Sequence, residues 1–276
     1  MPFDGLRVLS LESRRAKEMD AMVARLGADS FVAPSVAERA LEDQAEALRF
    51  VERLEADEFD LVVFMTGAGL VFLREVISAH MDFERLAAAL RRTAIVCRGP
   101  KPVPVLRAMD VPIHVVVPEP NTWKEIVEAV AARRERRIAV QEYGRPNLEM
   151  NAALEKLGAI VSPIAVYRWT LTDDVEPLRA AARGLAAREF DVVIFTSSIQ
   201  LDHLLDVAAQ LGIEPEVRES LRTHTAVASV GPVMTASLEA AGIPADIIPK
   251  HPKMGSLVKA ASEEAAAAIT AKRGGR

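Results

Sequence analysis

The chain has 276 residues, half of them hydrophobic and about a quarter charged, with 5% aromatics and a formal net charge of −5. This composition excludes a disordered or fibrous chain and predicts a folded globular protein of about two domains; the negative balance argues against a nucleic-acid partner. Cys97 is the only cysteine, so an intrachain disulfide is excluded and a reducing, cytoplasmic location is expected. The start, MPFDGLRVLSLES, lacks a basic segment followed by an apolar one, and no apolar run approaches the ~20 residues of a membrane span, so neither a signal peptide nor a membrane partner is expected.

Residues 6–11 form a short β-type run. A helix follows from about Arg15 to Leu26, with Met19, Met22, Val23 and Leu26 at helical spacing and Gly27 as its stop. A second strand, Ser30 to Ala33, is ended by Pro34, and residues 36–57 read as a polar connector running into an exposed helix. Strand 60–65 comes next, then Thr66-Gly67-Ala68-Gly69 and a helix carrying Leu70, Leu73 and Val76. A helix near 82–91 precedes strand 93–97 and the turn Arg98-Gly99-Pro100-Lys101. Helix 103–109, strand 113–117 and helix 123–133, capped by Thr122, lead to strand 138–141. After the turn Glu142-Tyr143-Gly144-Arg145, Pro146 opens a helix that runs to Gly158. Strand 160–166 enters Tyr167-Arg168-Trp169, and residues 170–188 read as a second connector. Strand 192–195 with its helix, strand 225–230, helix 233–241, strand 245–248 and a last helix from about Gly255 complete the chain, with Lys272 to Arg276 expected to fray. Strands alternating with helices predict an α/β fold with mainly parallel sheets.

The chain contains an internal repeat. EFDLVVFMTGAG at 58–69 returns as EFDVVIFTSSIQ at 189–200, an offset of 131 (189 − 58). Arg14, Glu18, Met19, Leu26 and Gly27 recur at the same offset as Arg145, Glu149, Met150, Leu157 and Gly158. Gly99-Pro100, Leu106 and Pro112 recur at 132 as Gly231-Pro232, Leu238 and Pro244. This period is too long for a solenoid and implies two similar domains. Either each copy closes on itself, or the two connectors carry the chain across and form a double-stranded bridge.

No P-loop, no GxGxxG after the first strand, no GxSxG elbow and no metal-ligand spacing among the five histidines is present. The chemistry instead gathers in the turns that follow the strands, where parallel α/β sheets bind ligands. These are Arg14-Arg15, Thr66-Gly67-Ala68-Gly69, Arg98-Gly99-Pro100-Lys101, Tyr143-Gly144-Arg145, Thr196-Ser197-Ser198-Ile199-Gln200 and Gly231-Pro232. Most open a helix, whose free N–H groups and dipole favour an anion, and arginines there can hold carboxylates. Each turn alone reads equally as an ordinary cap. Together, on two duplicated rims, they predict a cleft for one multiply anionic small molecule. Tyr167, one of two tyrosines, reads either as an interface aromatic with its hydroxyl in water or as a weak acid turned into that cleft.

The ordered series resembles the uroporphyrinogen-III synthase family over nearly the whole chain. It comprises the strand-Arg-helix-Leu-Gly-Ala start (6–28), Phe-Asp-strand-Thr-Gly-Ala-Gly (59–69), Arg98-Gly99-x-Lys101, Gln141-x-Tyr143-Gly144-Arg145, Ile164-Ala165-Val166-Tyr167-Arg168, Phe-Asp-strand-Thr-Ser-Ser (190–198), and Val230-Gly231-Pro232 with Leu238 and Ala241-Gly242-Ile243. The resemblance implies two flavodoxin-like α/β domains with a cleft between them, one from 1–34 plus 172–270 and the other from 40–166, joined by linkers 35–39 and 167–171. It implies a cofactor-free lyase that closes hydroxymethylbilane to uroporphyrinogen III with loss of water and inversion of ring D, in tetrapyrrole (heme) biosynthesis. Metal is not expected. A monomer is expected, with a possible transient contact to the preceding pathway enzyme. Tyr167 matches the family tyrosine proposed to help the hydroxyl leave. The threonine of many members falls on Met234, with Thr235 one residue on. Arg14, Arg15, Thr66 to Gly69, Arg98, Gly99, Lys101, Tyr143, Gly144, Arg145, Ser197, Ser198, Ile199, Gln200, Gly231, Pro232 and Thr235 are the expected substrate contacts. The competing expectations are a non-catalytic two-domain hinge protein that binds a polyanion, and a phospho-accepting receiver module. The receiver reading lacks the clustered aspartates such modules carry after the first strand.

Overall fold

The computed structural model describes residues 2–274. In chain order the elements are β1 (Arg7–Ser10), α1 (Ala16–Arg25), β2 (Asp29–Val32), β3 (Ala37–Ala40), α2 (Ala45–Glu55), β4 (Leu61–Phe64), α3 (Gly67–His80), α4 (Phe83–Arg91), β5 (Ala94–Cys97), α5 (Val103–Ala108), β6 (Val115–Val116) and α6 (Trp123–Ala131). Then follow β7 (Arg137–Gln141), α7 (Leu148–Lys156), β8 (Ile160–Ile164), β9 (Tyr167–Thr170), α8 (Glu176–Ala186), β10 (Val192–Phe195), α9 (Ser198–Gln210), α10 (Glu214–Thr223), β11 (Ala226–Ser229), α11 (Pro232–Ala240) and α12 (Met254–Gly274). No described helix is long and apolar enough to cross a membrane.

Contacts divide the chain into two units, Met1–Ala37 with Thr170–Arg276 and Glu38–Trp169. The second unit holds a five-stranded parallel sheet in the order β6-β5-β4-β7-β8. The first holds a four-stranded parallel sheet, β11-β10-β1-β2, extended beyond β11 by a single parallel bridge between Ala228 and Ile247. The repeat accounts for the likeness. β4 maps onto β10 at 131 (192 − 61) and β5 onto β11 at 132 (226 − 94). The β6 position Val115 maps onto Ile247 at 132 (247 − 115), and the pair Val96–Val115 corresponds to Ala228–Ile247. Both sheets therefore have one strand order, and each combines strands from both copies. Where the chain passes between units, β3 pairs with β9 as a two-stranded sheet.

All four residues of β4 and all four of β10 are buried, as expected for central parallel strands covered on both faces. In β4, Val62 and Phe64 pack on one face, and Leu61 and Val63 on the other. The repeated Glu-Phe-Asp lead-in has a structural job. Phe59 and Phe190 are buried, and each carries a guanidinium over its ring, Arg53 at 4.4 Å and Arg7 at 4.9 Å. Asp60 and Asp191 each accept the N–H that begins the neighbouring strand, from Arg137 at 3.0 Å and Arg7 at 2.9 Å. These two carboxylates thus pin β4 to β7 and β10 to β1 at their amino ends.

Several expectations are corrected. The helix expected within 36–57 is present but not simply exposed: α2 is amphipathic and buries Ala47, Phe50, Val51 and Leu54, and the connector before it contains β3. Likewise 170–188 contains α8, with Leu178, Ala181, Ala182 and Leu185 in the core. α10 is an additional helix before β11. The expected strand at 245–248 reduces to one bridge, and that at 113–117 to two residues. The carboxyl end does not fray through Lys272–Gly274: α12 continues to Gly274, and Lys272 ion-pairs with Asp246 at 2.7 Å, the two side chains 6% and 14% exposed. Lys272 also donates to the carbonyls of Leu221 and Thr225. Gly275 and Arg276 lie outside the described residues.

Removing one member of a buried pair leaves the other uncompensated. Lys272→Ala is expected to lower unfolding free energy by about 3 kcal/mol in urea titration. A second expectation concerns acid. The Arg137 side chain, helped by the N–H groups of Arg136 and Arg137, holds Asp60 down at about 2, from an ordinary 3.8. Because the folded pKa is depressed, the stability it contributes is complete above the ordinary range and is lost as pH falls from about 4 towards 2. Asp60→Asn should be less stable near neutrality and show a flatter loss of stability across that interval.

Candidate active site

In the second unit the sequence of connections reverses between β4 and β7, since β5 and β6 lie on one side of β4 and β7 and β8 on the other. Ligands of open parallel sheets bind at the carboxyl ends of the strands flanking such a point. Thr66 follows β4 there. Its N–H faces Gln141 Oε1 at 3.4 Å, its Oγ1 accepts the N–H of Gly69 at 3.0 Å, and the same Oγ1 lies 3.2 Å from Tyr167 Oη. One threonine therefore caps α3 and meets the phenol. Tyr167 is 3% exposed and its ring stacks on Phe72 at 5.4 Å, so its hydroxyl is not simply in water.

The small residues of this rim serve close packing of the chain itself. A Cβ on Gly67 would lie 2.6 Å from the Lys101 carbonyl oxygen, and one on Gly69 would meet the Gln141 amide at 2.0 Å. A Cβ on Gly99 would meet Asn121 at 2.8 Å. Gly144 has φ +80°, and its α-carbon faces the Trp169 ring. The reason for glycine here is thus contact with Lys101, Gln141, Asn121 and Trp169, while the N–H groups of Gly67 and Ala68 have no acceptor among the described residues.

Arg98 sits at the end of β5 with its guanidinium 5.1 Å from the centre of the Tyr143 ring. Tyr143 meets Trp169 edge-on at 5.6 Å and accepts from Asn147 at 3.3 Å. No carboxylate pairs with Arg98 among the described residues, and burial pushes its guanidinium pKa below the usual value. Lys101 and Arg145 are exposed on the neighbouring turns. Cys97, just before Arg98, is no nucleophile: burial pushes its thiol up to about 12.

The first unit repeats the plan with different residues. Its switch point lies between β10 and β1. The Oε1 of Gln200 accepts the N–H groups of Thr196 and Ser197 at 2.7 and 3.2 Å, and its Nε2 donates to the Leu11 carbonyl. Thr196 Oγ1 donates to Glu12 at 2.5 Å, and Glu12 also accepts the Arg15 N–H at 3.1 Å. The Arg15 side chain pairs with Glu18, so neither the amide nor the cation expected of Arg15 stands uncommitted. Arg14 is exposed beside it, Ser198 is buried and Ile199 is half-buried. Gly231 has extended backbone at φ 161°, and Pro232 begins α11. Met234 is in the core, whereas Thr235 Oγ1 lies 2.9 Å from Ser229 Oγ at the end of β11.

Of the residues the sequence singled out, Thr66, Arg98 and Tyr143 lie on turns of the second unit and Thr196 to Gln200 with Thr235 in the first, while Tyr167, expected in a linker, opens β9 and meets Thr66. The sequence reading missed Trp169, Asn121 and Phe72, whose approach is tertiary, and Glu12. The repeat offered a signal for Glu12, since the offset of 131 aligns it with Tyr143. Among the described residues, no group of histidine, cysteine, aspartate and glutamate is arranged to hold a metal.

The comparisons with known proteins agree with this architecture. The family model described as uroporphyrinogen-III synthase HemD matches residues 17–259. An uncharacterised protein of Bacillus subtilis, YjjA, is 26% identical over 261 residues, covering 92% of this chain and 94% of that one. A crystal structure of a mutant uroporphyrinogen III synthase from the extremely thermophilic bacterium Thermus thermophilus superposes with a TM-score of 0.72 at 25% identity, covering 92% of this chain and 96% of that chain. The synthetase of Helicobacter pylori shares the fold, with a TM-score of 0.54 at 12% identity, covering 92% and 97%. With a match across most of its length, the chain belongs to the uroporphyrinogen-III synthase family.

Proposed function

We propose that this chain closes the linear tetrapyrrole hydroxymethylbilane to uroporphyrinogen III, losing water and inverting ring D, as a lyase that needs no cofactor. The observation that carries this reading is the family match over residues 17–259, which takes in the switch point of the second unit and the β10 side of that of the first. The chemistry has two demands. The hydroxyl on the terminal methylene must leave, and the chain must be held so that ring D closes in the inverted sense. The pyrrole nitrogen stabilises the cation left behind, so no metal or prosthetic group is needed to supply electrons.

Tyr167 is proposed to hydrogen-bond the departing hydroxyl, with Thr66 fixing its Oη by the 3.2 Å contact. Arg98 is proposed to hold a substrate carboxylate, because its buried charge has no carboxylate of the chain beside it among the described residues. The N–H groups of Gly67 and Ala68 at the start of α3 add donors for a second carboxylate. In the first unit, Ser197, Ile199 and Thr235 are the matching contacts. With much of that rim bonded internally, its part is chiefly to position the substrate.

Purified protein given fresh hydroxymethylbilane should yield the type III isomer; recovery of only the spontaneously formed type I product, or of unchanged ligand, would refute the reading. Tyr167→Phe should lose about tenfold in kcat, the equivalent of one hydrogen bond of about 1.4 kcal/mol, while unfolding cooperatively in urea like the parent. Full activity in that variant would remove Tyr167 from the mechanism.

A further inference from the structure

The duplicated frame shows that the fold itself does not call for an arginine at position 98. β4 pairs with β5 through Leu61 and Ala94, and β10 pairs with β11 through Val192 and Ala226, so Arg98 corresponds to Val230 of the first unit. The backbone is the same at both places. The Arg98 N–H donates to the Phe64 carbonyl at 3.0 Å, and the Val230 N–H donates to the Phe195 carbonyl at 3.1 Å. Val230 packs against the apolar core of its unit. The same strand end is therefore built once with an aliphatic side chain and once with a cation.

The guanidinium of Arg98 lies against the Tyr143 ring, 5.1 Å from its centre, and no side-chain hydrogen bond contributes to its charge balance among the described residues. That ring is itself firmly held. Tyr143 packs against the apolar cluster on one face of the five-stranded sheet. Trp169, which meets it edge-on at 5.6 Å, packs against the cluster on the other face. Each ring is thus rooted in a different side of the sheet. The indole also presses on the Gly144 α-carbon, which fixes the backbone beside Tyr143. At the far end of the phenol, Asn147 Nδ2 donates to Tyr143 Oη at 3.3 Å, while Asn147 Oδ1 accepts the Met150 N–H at 3.0 Å and so sets the amide.

We infer that Tyr143 is a positioning residue that presets the Arg98 guanidinium for a substrate carboxylate and does not itself touch the substrate, an inference that rests on the synthase reading above. A carboxylate of the chain in the place of the ring would neutralise the cation and occupy its N–H groups. An aromatic face attracts the guanidinium through its quadrupole and leaves the positive charge unpaired. Arginine is rich in rotamers, and ordering it before the substrate arrives lowers the entropy lost on binding. Only a ring that cannot move can fix the cation, which is the use of the Trp169 and Asn147 contacts.

The test measures type III product formation by the full chain from fresh hydroxymethylbilane. Tyr143→Leu should raise KM about fivefold, the worth of one partly buried cation–ring contact. Its kcat should change little, because a carboxylate held away from the reacting carbon is bound alike in ground and transition states. Tyr143→Phe, which keeps the ring, should stay close to the parent. Arg98→Ala should raise KM further, and adding Tyr143→Leu to it should change nothing more. KM effects that multiply in the double variant would overturn the inference, since Tyr143 would then act on the substrate or the fold independently of Arg98. So would a parent-like KM in Arg98→Ala. Pentafluorophenylalanine incorporated at position 143 guards against loss of folding, because it keeps the shape of phenylalanine and reverses the charge of the ring face. It should raise KM as leucine does; a KM equal to that of Tyr143→Phe would overturn the inference by showing that the ring only fills space. A parent that forms only the type I isomer would overturn the synthase reading and this inference with it, and is distinguishable because it appears before any variant is compared.

Discussion

Each sheet is held at its middle by a parallel pair of strands that lie far apart in the chain, β4 with β7 and β1 with β10. Parallel neighbours cannot be joined by a tight turn. Here the partner comes from the other copy of the repeat, so neither sheet exists without both copies. The pairs are pinned at their amino ends by Asp60 and Asp191, and they bury β4 and β10 on both faces. The rest of the architecture follows: the shared strand order, the passage of the chain through β3 and β9, and a connection reversal beside each central strand.

At those reversals a glutamine performs the same service in both units. Gln141 reaches from β7 to the start of α3, and Gln200 reaches from α9 to the end of β1. In both, Oε1 accepts an N–H of the turn that follows the central strand, from Thr66 in one unit and from Thr196 and Ser197 in the other. What surrounds them has diverged further. The first unit places Glu12 against Thr196 and the start of α1, consuming donors that an external anion would need. The second unit has Tyr143 beside Arg98, and leaves that guanidinium without a carboxylate among the described residues. Duplication thus supplied two similar frames, and substitution at a few turn positions made their polar surroundings differ.

The chemistry asked of such a frame is modest. A pyrrole that stabilises its own cation needs a leaving group assisted and a flexible chain held in one fold. Hydroxyls, an arginine and backbone amides at strand ends are suited to that, and this accounts for the absence of any familiar catalytic motif in the sequence. The cost falls on buried polar groups. Burial lowers the pKa of the Arg98 guanidinium and raises that of the Glu142 carboxyl, disfavouring the charged form of each.

The α/β class, the repeat, most helices and the turns of the rims were legible in the sequence, because buried parallel strands are continuous apolar runs and caps announce themselves by residue type. Helix α8 went unread within a stretch taken for a connector, and α2, expected as an exposed helix, turns out to bury one face. The glycines were legible as small residues, but the reason for them was not. Only the fold puts the Lys101 carbonyl, the Gln141 amide and the Trp169 ring against their α-carbons. Residue order was enough to establish two similar α/β units and the turns that end their strands. It took the folded chain to show which copies share a sheet and that Thr66 meets Tyr167 across 101 positions. Apolar runs and caps are local properties of the chain, whereas hydrogen-bond partners and desolvation depend on residues brought together from a distance.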